Sequence, residues 1–163
     1  MTQLIKDGAV AAQDGWVLAG PDAAADAQQL ILPLADYLQA MAAGAPAASR
    51  GVQLLPTDQD LAPLQPYLAA LPLIAIHFGS SGEGRGYTQA RLLRERHGYR
   101  GELRAVGKVR VDMVWFLARC GFNALELLDE EDPATAIAQL QRFSVAYQAG
   151  SDSMTHPRRR YGG

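Results

Sequence analysis

The most informative segment of the sequence is Leu73-Ile-Ala-Ile-His-Phe-Gly-Ser-Ser-Gly-Glu-Gly-Arg-Gly-Tyr-Thr-Gln-Ala-Arg-Leu-Leu-Arg94. Its first six residues are mostly aliphatic, which predicts a buried strand. A segment rich in glycine and serine follows, and a helical pattern of apolar residues begins near Tyr87. A strand, a polar glycine loop and a helix start, in that order, are the usual place for an α/β protein to hold an anion.

Similar strand and helix patterns alternate along most of the chain. The predicted strands cover 30–32, 52–55, 73–78, 102–106 and 124–128, and the predicted helices cover 34–43, 61–68, 87–97, 109–119 and 133–148. Alternation with short loops predicts about five parallel βα units with right-handed crossovers. We expect a single α/β domain over 1–149, and a disordered tail over 150–163, which has no periodicity.

The first twenty residues follow a different pattern, in which short apolar pairs are separated by turn signals. Leu4-Ile5 and Ala9-Val10 flank Lys6-Asp7-Gly8, and the Asp-Gly step predicts a hairpin. Asp14-Gly15 is a further turn signal, and it precedes Trp16-Val17-Leu18, another short extended piece. We therefore predict a short antiparallel appendage at the N-terminus.

Alternate residues of the predicted strands differ in polarity. Because side chains alternate between the two faces of a strand, one face is wholly apolar and suits a layer of helices. The other face carries Gln53, His77, Glu102, Arg104 and Glu126. Charged residues on one face of successive parallel strands fit the inner wall of a barrel, but five units are too few to close one. We predict a curved, partial-barrel sheet; the alternative is an open five-stranded, three-layer sheet.

The bulk composition excludes several classes of protein. The net charge of −2 gives no field suited to nucleic acid or an acidic membrane. There is no apolar signal core or run long enough to span a membrane. The single cysteine excludes an internal disulfide and a multi-thiolate metal site, and the three histidines lack metal-ligand spacing. We expect a cytoplasmic protein without a metal site.

The glycine loop, Gly79–Gly86, is the first candidate site. Its backbone can approach an anion closely, Ser80 and Ser81 add hydroxyl donors, and Arg85 adds a planar cation. The loop matches neither the Walker sequence nor the dinucleotide fingerprint, so no cofactor is evident. The alternative is a flexible loop in which the glycines only satisfy turns.

The polar strand face is the second candidate. Glu102, Glu126 and His77 are predicted to supply acid–base catalysis, and Arg104 to assist in binding the anion. The alternative for Glu102, Arg104 and Glu126 is a buried ion network that serves only the fold.

Three segments together resemble a known family. They are Phe78–Arg94, Gly101-Glu-Leu-Arg-Ala-Val-Gly107 and Arg119-Cys-Gly-Phe122, and they are similar to the bacterial domain-of-unknown-function family nine-three-four. Members are typically encoded beside the sulfite/nitrite reductase haemoprotein and are often labelled as oxidoreductases of sulfite reduction. The resemblance carries no catalytic residue over, and Lys108 stands where the family often has aspartate.

The resemblance implies a pathway, assimilatory sulfite reduction, and leaves open whether the protein is an enzyme. One hypothesis is an anion-handling enzyme whose small anionic substrate binds at the glycine loop. The other is a non-catalytic accessory protein that binds the sulfite reductase haemoprotein or its electron donor. A homodimer is also left open.

Overall fold

The structure, a computed structural model, describes residues 2–12, 14–20, 27–80 and 83–142. Within them the strands are β1 Gln3–Lys6, β2 Ala9–Ala11, β3 Trp16–Leu18, β4 Gln29–Pro33, β5 Arg50–Leu54, β6 Leu73–Phe78, β7 Glu102–Val109 and β8 Ala124–Leu127. The α-helices are α1 Leu34–Ala42, α2 Arg85–Arg91, α3 Val114–Arg119 and α4 Pro133–Gln141. Short 3-10 helices cover Ala47–Ser49, Ala62–Tyr67 and Val111–Met113, and a π-helical turn covers Leu92–Arg96.

All eight described strands form one sheet in the order β2-β1-β8-β7-β6-β5-β4-β3. The strands from β3 to β8 are parallel, whereas β1 runs antiparallel to both β8 and β2. The sheet curls into a half-barrel. The predicted fold class, a curved partial-barrel α/β sheet with an antiparallel N-terminal end, is therefore confirmed.

The two faces of the sheet have different cover. The main core includes alternate strand residues such as Ile74, Ile76 and Leu103 together with residues of all four α-helices. The opposite face has a small apolar cluster of Ile31, Leu73, Ala75 and Val106, with Trp16 packed against it and no helix residue among its members. The described helices thus cover one face and leave the concave one open, unlike the three-layer alternative.

The N-terminal hairpin forms as predicted, but it is an integral part of the sheet. Lys6 pairs with Ala9, and Asp7 and Gly8 have φ angles of 51° and 80°, as a two-residue hairpin turn requires. The prediction that Trp16-Val17-Leu18 belongs to the antiparallel appendage was wrong, because β3 pairs parallel with β4 at the other edge.

The connection between β2 and β3 explains why the sheet must curl. These strands lie at opposite edges, yet only residues 12–15 join them. In a flat sheet eight strands would place the edges about 33 Å apart. The chain from Ala11 to Trp16 can span at most about 18 Å. Only a curled sheet brings the edges within reach, and Asp14 of this connection contacts Arg104 on the concave face.

Several element boundaries differ from the predicted ones. β7 continues to Val109 because it contains a bulge: Ala105 pairs with Leu125, and four residues later Val109 pairs with Leu127. The helix predicted from Val109 therefore starts after the strand. Asp132 caps α4 as predicted, through its side chain and the N–H groups of Ala134 and Thr135. The rest of the last predicted helix and the tail lie outside the described residues.

Candidate functional site

The concave face brings all three of the predicted acid–base residues to one side of the sheet. Arg104 of β7 pairs with Ala75 of β6, and His77 pairs with Val106. Glu126 of β8 lies at the level of Val106, since the preceding residues Leu125 and Ala105 are paired. His77 and Glu126 thus share a level two strands apart, about 10 Å between backbones.

Arg104 is the centre of an ion network. Its side chain is 2% exposed. Nε and Nη2 donate to Glu102 Oε1 at 2.8 and 2.6 Å, Nη1 donates to Glu126 Oε1 at 3.2 Å, and Nη2 also donates to Asp14. Burial opposes the charge, but the hydrogen bond to Asp14 and the attraction of Glu102 outweigh it and raise the pKa of Arg104. Its donors are committed to carboxylates rather than left for an anion.

Glu102 is sealed inside this network. One of its oxygens accepts both bonds from Arg104, and the other forms an ion pair of 2.6 Å with Lys6 Nζ. The hydrogen bond from Lys6 to Glu102 raises the pKa of that lysine. A carboxylate with every partner supplied by the protein is suited to holding the fold together, which favours the structural alternative for Glu102 and Arg104.

Glu126 and Asp14 differ from Glu102, because both line an open cleft. Their side chains are 28% and 23% exposed. The cleft has a volume of about 390 Å³. Its walls are Thr2, Leu4, Asp14, Gly15, Trp16, Val17, Leu18, Ile31, Ala75, Arg104, Val106 and Glu126. We call it the Trp16 cleft.

His77 lies beside the bulge of β7. Gly107 has a φ angle of 92°, and a Cβ there would lie 2.5 Å from the carbonyl oxygen of Phe78 and 2.9 Å from the His77 Cε1 atom. Only glycine allows this close approach of the two strands. The bulge therefore packs directly against the half-buried His77 imidazole, at the carboxyl ends of the parallel strands.

The glycine loop already binds one carboxylate, that of Glu83, which is part of the loop. Gly79 N–H donates to Glu83 Oε2 at 3.3 Å, and Glu83 N–H donates to Ser80 O at 3.3 Å. Ser80 and Arg85 are exposed, and Ser81 lies outside the described residues. Gly86 has a packing role: a Cβ on it would lie 2.7 Å from the Phe78 ring, so this glycine allows α2 to pack on β6.

The structure separates residues that were predicted to act together. Arg104 pairs with Ala75 of the neighbouring strand, and Ala75 precedes Gly79 by four residues. Along an extended strand this separates the level of Arg104 from the start of the glycine loop by about 13 Å. Arg85 lines a different groove, with Pro56, Gln59 and Thr88 among its walls. One small oxyanion cannot contact both the glycine loop and Arg104. Of the predicted acid–base residues, His77 is the nearest to the loop in sequence.

Three residues of the concave site were not predicted: Lys6, Asp14 and Trp16. Asp14 and Lys6 were recognised only as parts of turn sequences, and Trp16 only as part of an extended piece. No local signal connects Asp14 with Arg104, which lies ninety positions further along the chain. In the described residues, no three His, Cys, Asp or Glu side chains are arranged to hold a metal ion.

The comparison with known families bears on the resemblance noted in the sequence. A family model described as "Bacterial protein of unknown function (DUF934)" matches residues 51–157, more than half of the 163-residue chain. The chain belongs to this family. The match begins at β5 and takes in the glycine loop, the bulge and the network residues on β7 and β8, while Lys6, Asp14 and Trp16 precede it.

Two further findings complete the comparison. No curated protein matches the chain. Among the described residues, no helix has both the length and the apolar character that a membrane span requires.

Proposed function

We propose that this protein acts in assimilatory sulfite reduction in the cytoplasm, as an enzyme that binds an oxyanion at the Gly79–Gly86 loop. The pathway is inferred from what is associated with its family, and the site from the loop. The proposal for the binding site rests on the hydrogen bond from Gly79 N–H to the Glu83 carboxylate. This backbone N–H already binds a carboxylate of the protein, so an external oxyanion can bind it in place of that carboxylate.

The neighbours of this amide suit an anion as well. The Ser80 hydroxyl and the Arg85 guanidinium are exposed, and within the described residues Arg85 forms no ion pair. Binding would require sulfite, or a phosphate-bearing substrate, to displace Glu83 from Gly79. Arg85 and a hydroxyl would then replace part of the lost hydration of the anion.

In this proposal His77 is the acid–base residue. It lies two positions before Gly79, on the open face, at the carboxyl end of β6, which is where parallel barrels place their catalytic groups. Glu126, at the same level of the sheet, is the second candidate. Arg104, which is itself bonded to Glu102, holds Asp14 and Glu126 in position.

Calorimetric titration tests the site. Sulfite, sulfate and phosphate would be titrated separately into the wild type and into Arg85→Ala, with Arg96→Ala as the matched loss of another exposed arginine. We expect binding of at least one anion, weakened about tenfold by Arg85→Ala and unchanged by Arg96→Ala, since one charge-assisted bond is worth about 1.5–3 kcal/mol. Absence of binding for all three anions would refute the anion site.

A growth experiment tests the pathway separately. A deletion strain would be grown on sulfate, sulfite, sulfide or cysteine as the sole source of sulfur. Rescue by sulfide but not by sulfite places the step at sulfite reduction. Equal growth on all four sources would refute the pathway and leave the anion site to be decided by titration.

The second candidate function is an accessory protein that docks on the sulfite reductase haemoprotein or its electron donor. An exposed aromatic surface favours it: Phe116 of α3 is 46% exposed and packs on Tyr87, which packs on Phe78, with ring centroids 4.9 and 5.2 Å apart. Co-purification with the haemoprotein that is lost in Phe116→Ser but kept in Leu55→Ser, an equally exposed apolar site, would support docking. A partner-free protein in native extract would count against it.

A further inference from the structure

The Trp16 cleft is distinct from the glycine loop in position and in the chemistry of its walls. Trp16 comes from the edge strand β3 and lies against the small apolar cluster of the concave face, which includes Ile31, Ala75 and Val106. Leu18, on the same strand, is exposed at the rim. A volume of about 390 Å³ lies within the usual range of small-molecule sites, about 300–1,000 Å³.

The charge of the network determines what the cleft can accept. Three carboxylates, of Asp14, Glu102 and Glu126, surround two cations, of Lys6 and Arg104, which leaves a net charge of −1. The cation that lines the cleft, Arg104, is buried and donates all its bonds to carboxylates. An anion would therefore meet carboxylates, and the described residues that line the cleft offer it no uncommitted cation.

Glu126 supplies the open acceptor. Its Oε1 accepts from Arg104, and within the described residues its Oε2 has no hydrogen-bond partner. The carboxylate is fixed by a buried arginine and partly exposed to the cleft. A fixed carboxylate and an indole ring that line the same cleft suit an organic cation with an aromatic body, because the carboxylate can accept a charge-assisted hydrogen bond and the indole can pack against the ring.

We propose that the Trp16 cleft is a second binding site, specific for a small organic cation with a flat apolar body, such as an aromatic ring that carries a primary ammonium on a methylene group. Glu126, with Asp14, binds the charged group, and Trp16 and the apolar cluster bind the ring. The site lies on the described residues alone and does not depend on the oxyanion loop.

Fluorescence of Trp16 tests this proposal with two probes of nearly equal shape, benzylammonium and neutral benzyl alcohol. Trp16 and Trp115 are the only tryptophans, so Trp115→Phe leaves Trp16 as the reporter. At pH 7 we expect benzylammonium to change the emission saturably and to bind about tenfold more tightly than benzyl alcohol. Equal binding of the two probes, or no saturable change with either, would overturn the proposal.

Two variants locate the binding. Glu126→Gln keeps the shape of the side chain and removes its charge, and we expect it to weaken benzylammonium about tenfold but not benzyl alcohol. Leu18→Lys places a cation at the exposed rim without entering the core and should act in the same direction, so that the test survives if Glu126→Gln fails to fold. Unchanged benzylammonium affinity in the folded variants would overturn the proposal. Arg85→Ala, which tests the oxyanion loop, should leave this binding unchanged.

Discussion

Arg104 donates a hydrogen bond to Asp14 across the concave face of the sheet, joining residues ninety positions apart. Asp14 belongs to the connection between the two edge strands, and Arg104 lies on an inner strand. The ion pair therefore holds this connection against the concave face of the sheet. The same arginine holds Glu126 at the wall of the Trp16 cleft.

Replacing Arg104 should be strongly destabilising. Arg104→Met leaves Glu102 buried without its main partner and releases Asp14, and we expect a loss of about 3–5 kcal/mol in the free energy of unfolding. Urea denaturation measures it. Arg85→Met, at an exposed arginine, should cost less than about 0.5 kcal/mol. Losses of similar size in the two variants would show that the network does not hold the fold.

Gly107→Ala should destabilise the protein more than Gly8→Ala. Both glycines have positive φ angles, 92° and 80°, but a Cβ on Gly8 meets no atom within 4 Å, whereas one on Gly107 would collide with the Phe78 carbonyl and His77. We expect about 1 kcal/mol for Gly8 and about 3 kcal/mol for Gly107, from backbone strain plus the collision. Thermal unfolding compares them, and equal losses would contradict the packing of the bulge. The His77 ring signals in NMR should shift only in Gly107→Ala.

Glu83→Gln should tighten the binding of sulfite at the glycine loop. The wild-type carboxylate occupies Gly79 N–H and repels an incoming anion, whereas the neutral amide competes less. We expect about a tenfold gain in affinity by calorimetry, the equivalent of about 1.4 kcal/mol. Glu130→Gln, which removes the same charge from an exposed turn, serves as the control. Weaker binding in Glu83→Gln would mean that Glu83 supports the anion rather than competing with it.

Tyr99 should make the stability of the protein fall at alkaline pH. Tyr99 is 1% exposed, its hydroxyl donates to Leu71 O at 2.9 Å, and burial raises its pKa above the ordinary value of 10.0. The unfolded chain ionises at lower pH than the folded one, so the contribution is fully present below pH 10 and is lost as the pH rises beyond it.

Tyr99→Phe provides the measurement of that effect. At pH 7 the variant should be less stable by about 1–2 kcal/mol, because Leu71 O loses its donor. Above pH 10 the two unfolding free energies should converge, by at most about 1.4 kcal/mol per pH unit. Lys6, whose pKa is also raised, contributes with the same sign but is present in both proteins and cancels in the difference. A constant difference from pH 7 to pH 12 would contradict the assignment to Tyr99.

Features that depend on neighbouring residues could be predicted from the sequence alone. The Asp7-Gly8 hairpin and the Asp132 cap follow from turn and capping chemistry. The apolar and polar strand faces follow from a period of two, and the parallel units follow from the alternation of strand and helix. For the same reason His77, Glu102, Arg104 and Glu126 were assigned to the correct face before any contact was known.

Which of those residues contact one another depends on the tertiary structure. That β3 lies at the far edge, and that its connection brings Asp14 to Arg104, depends on pairing between distant strands. The same strand pairing buries Glu102 and leaves Glu126 at the wall of a cleft. It also places the glycine loop too far from Arg104 for one small oxyanion to contact both. Local secondary-structure propensities do not predict such contacts, because the packing energy that favours them arises only when the sheet has curled.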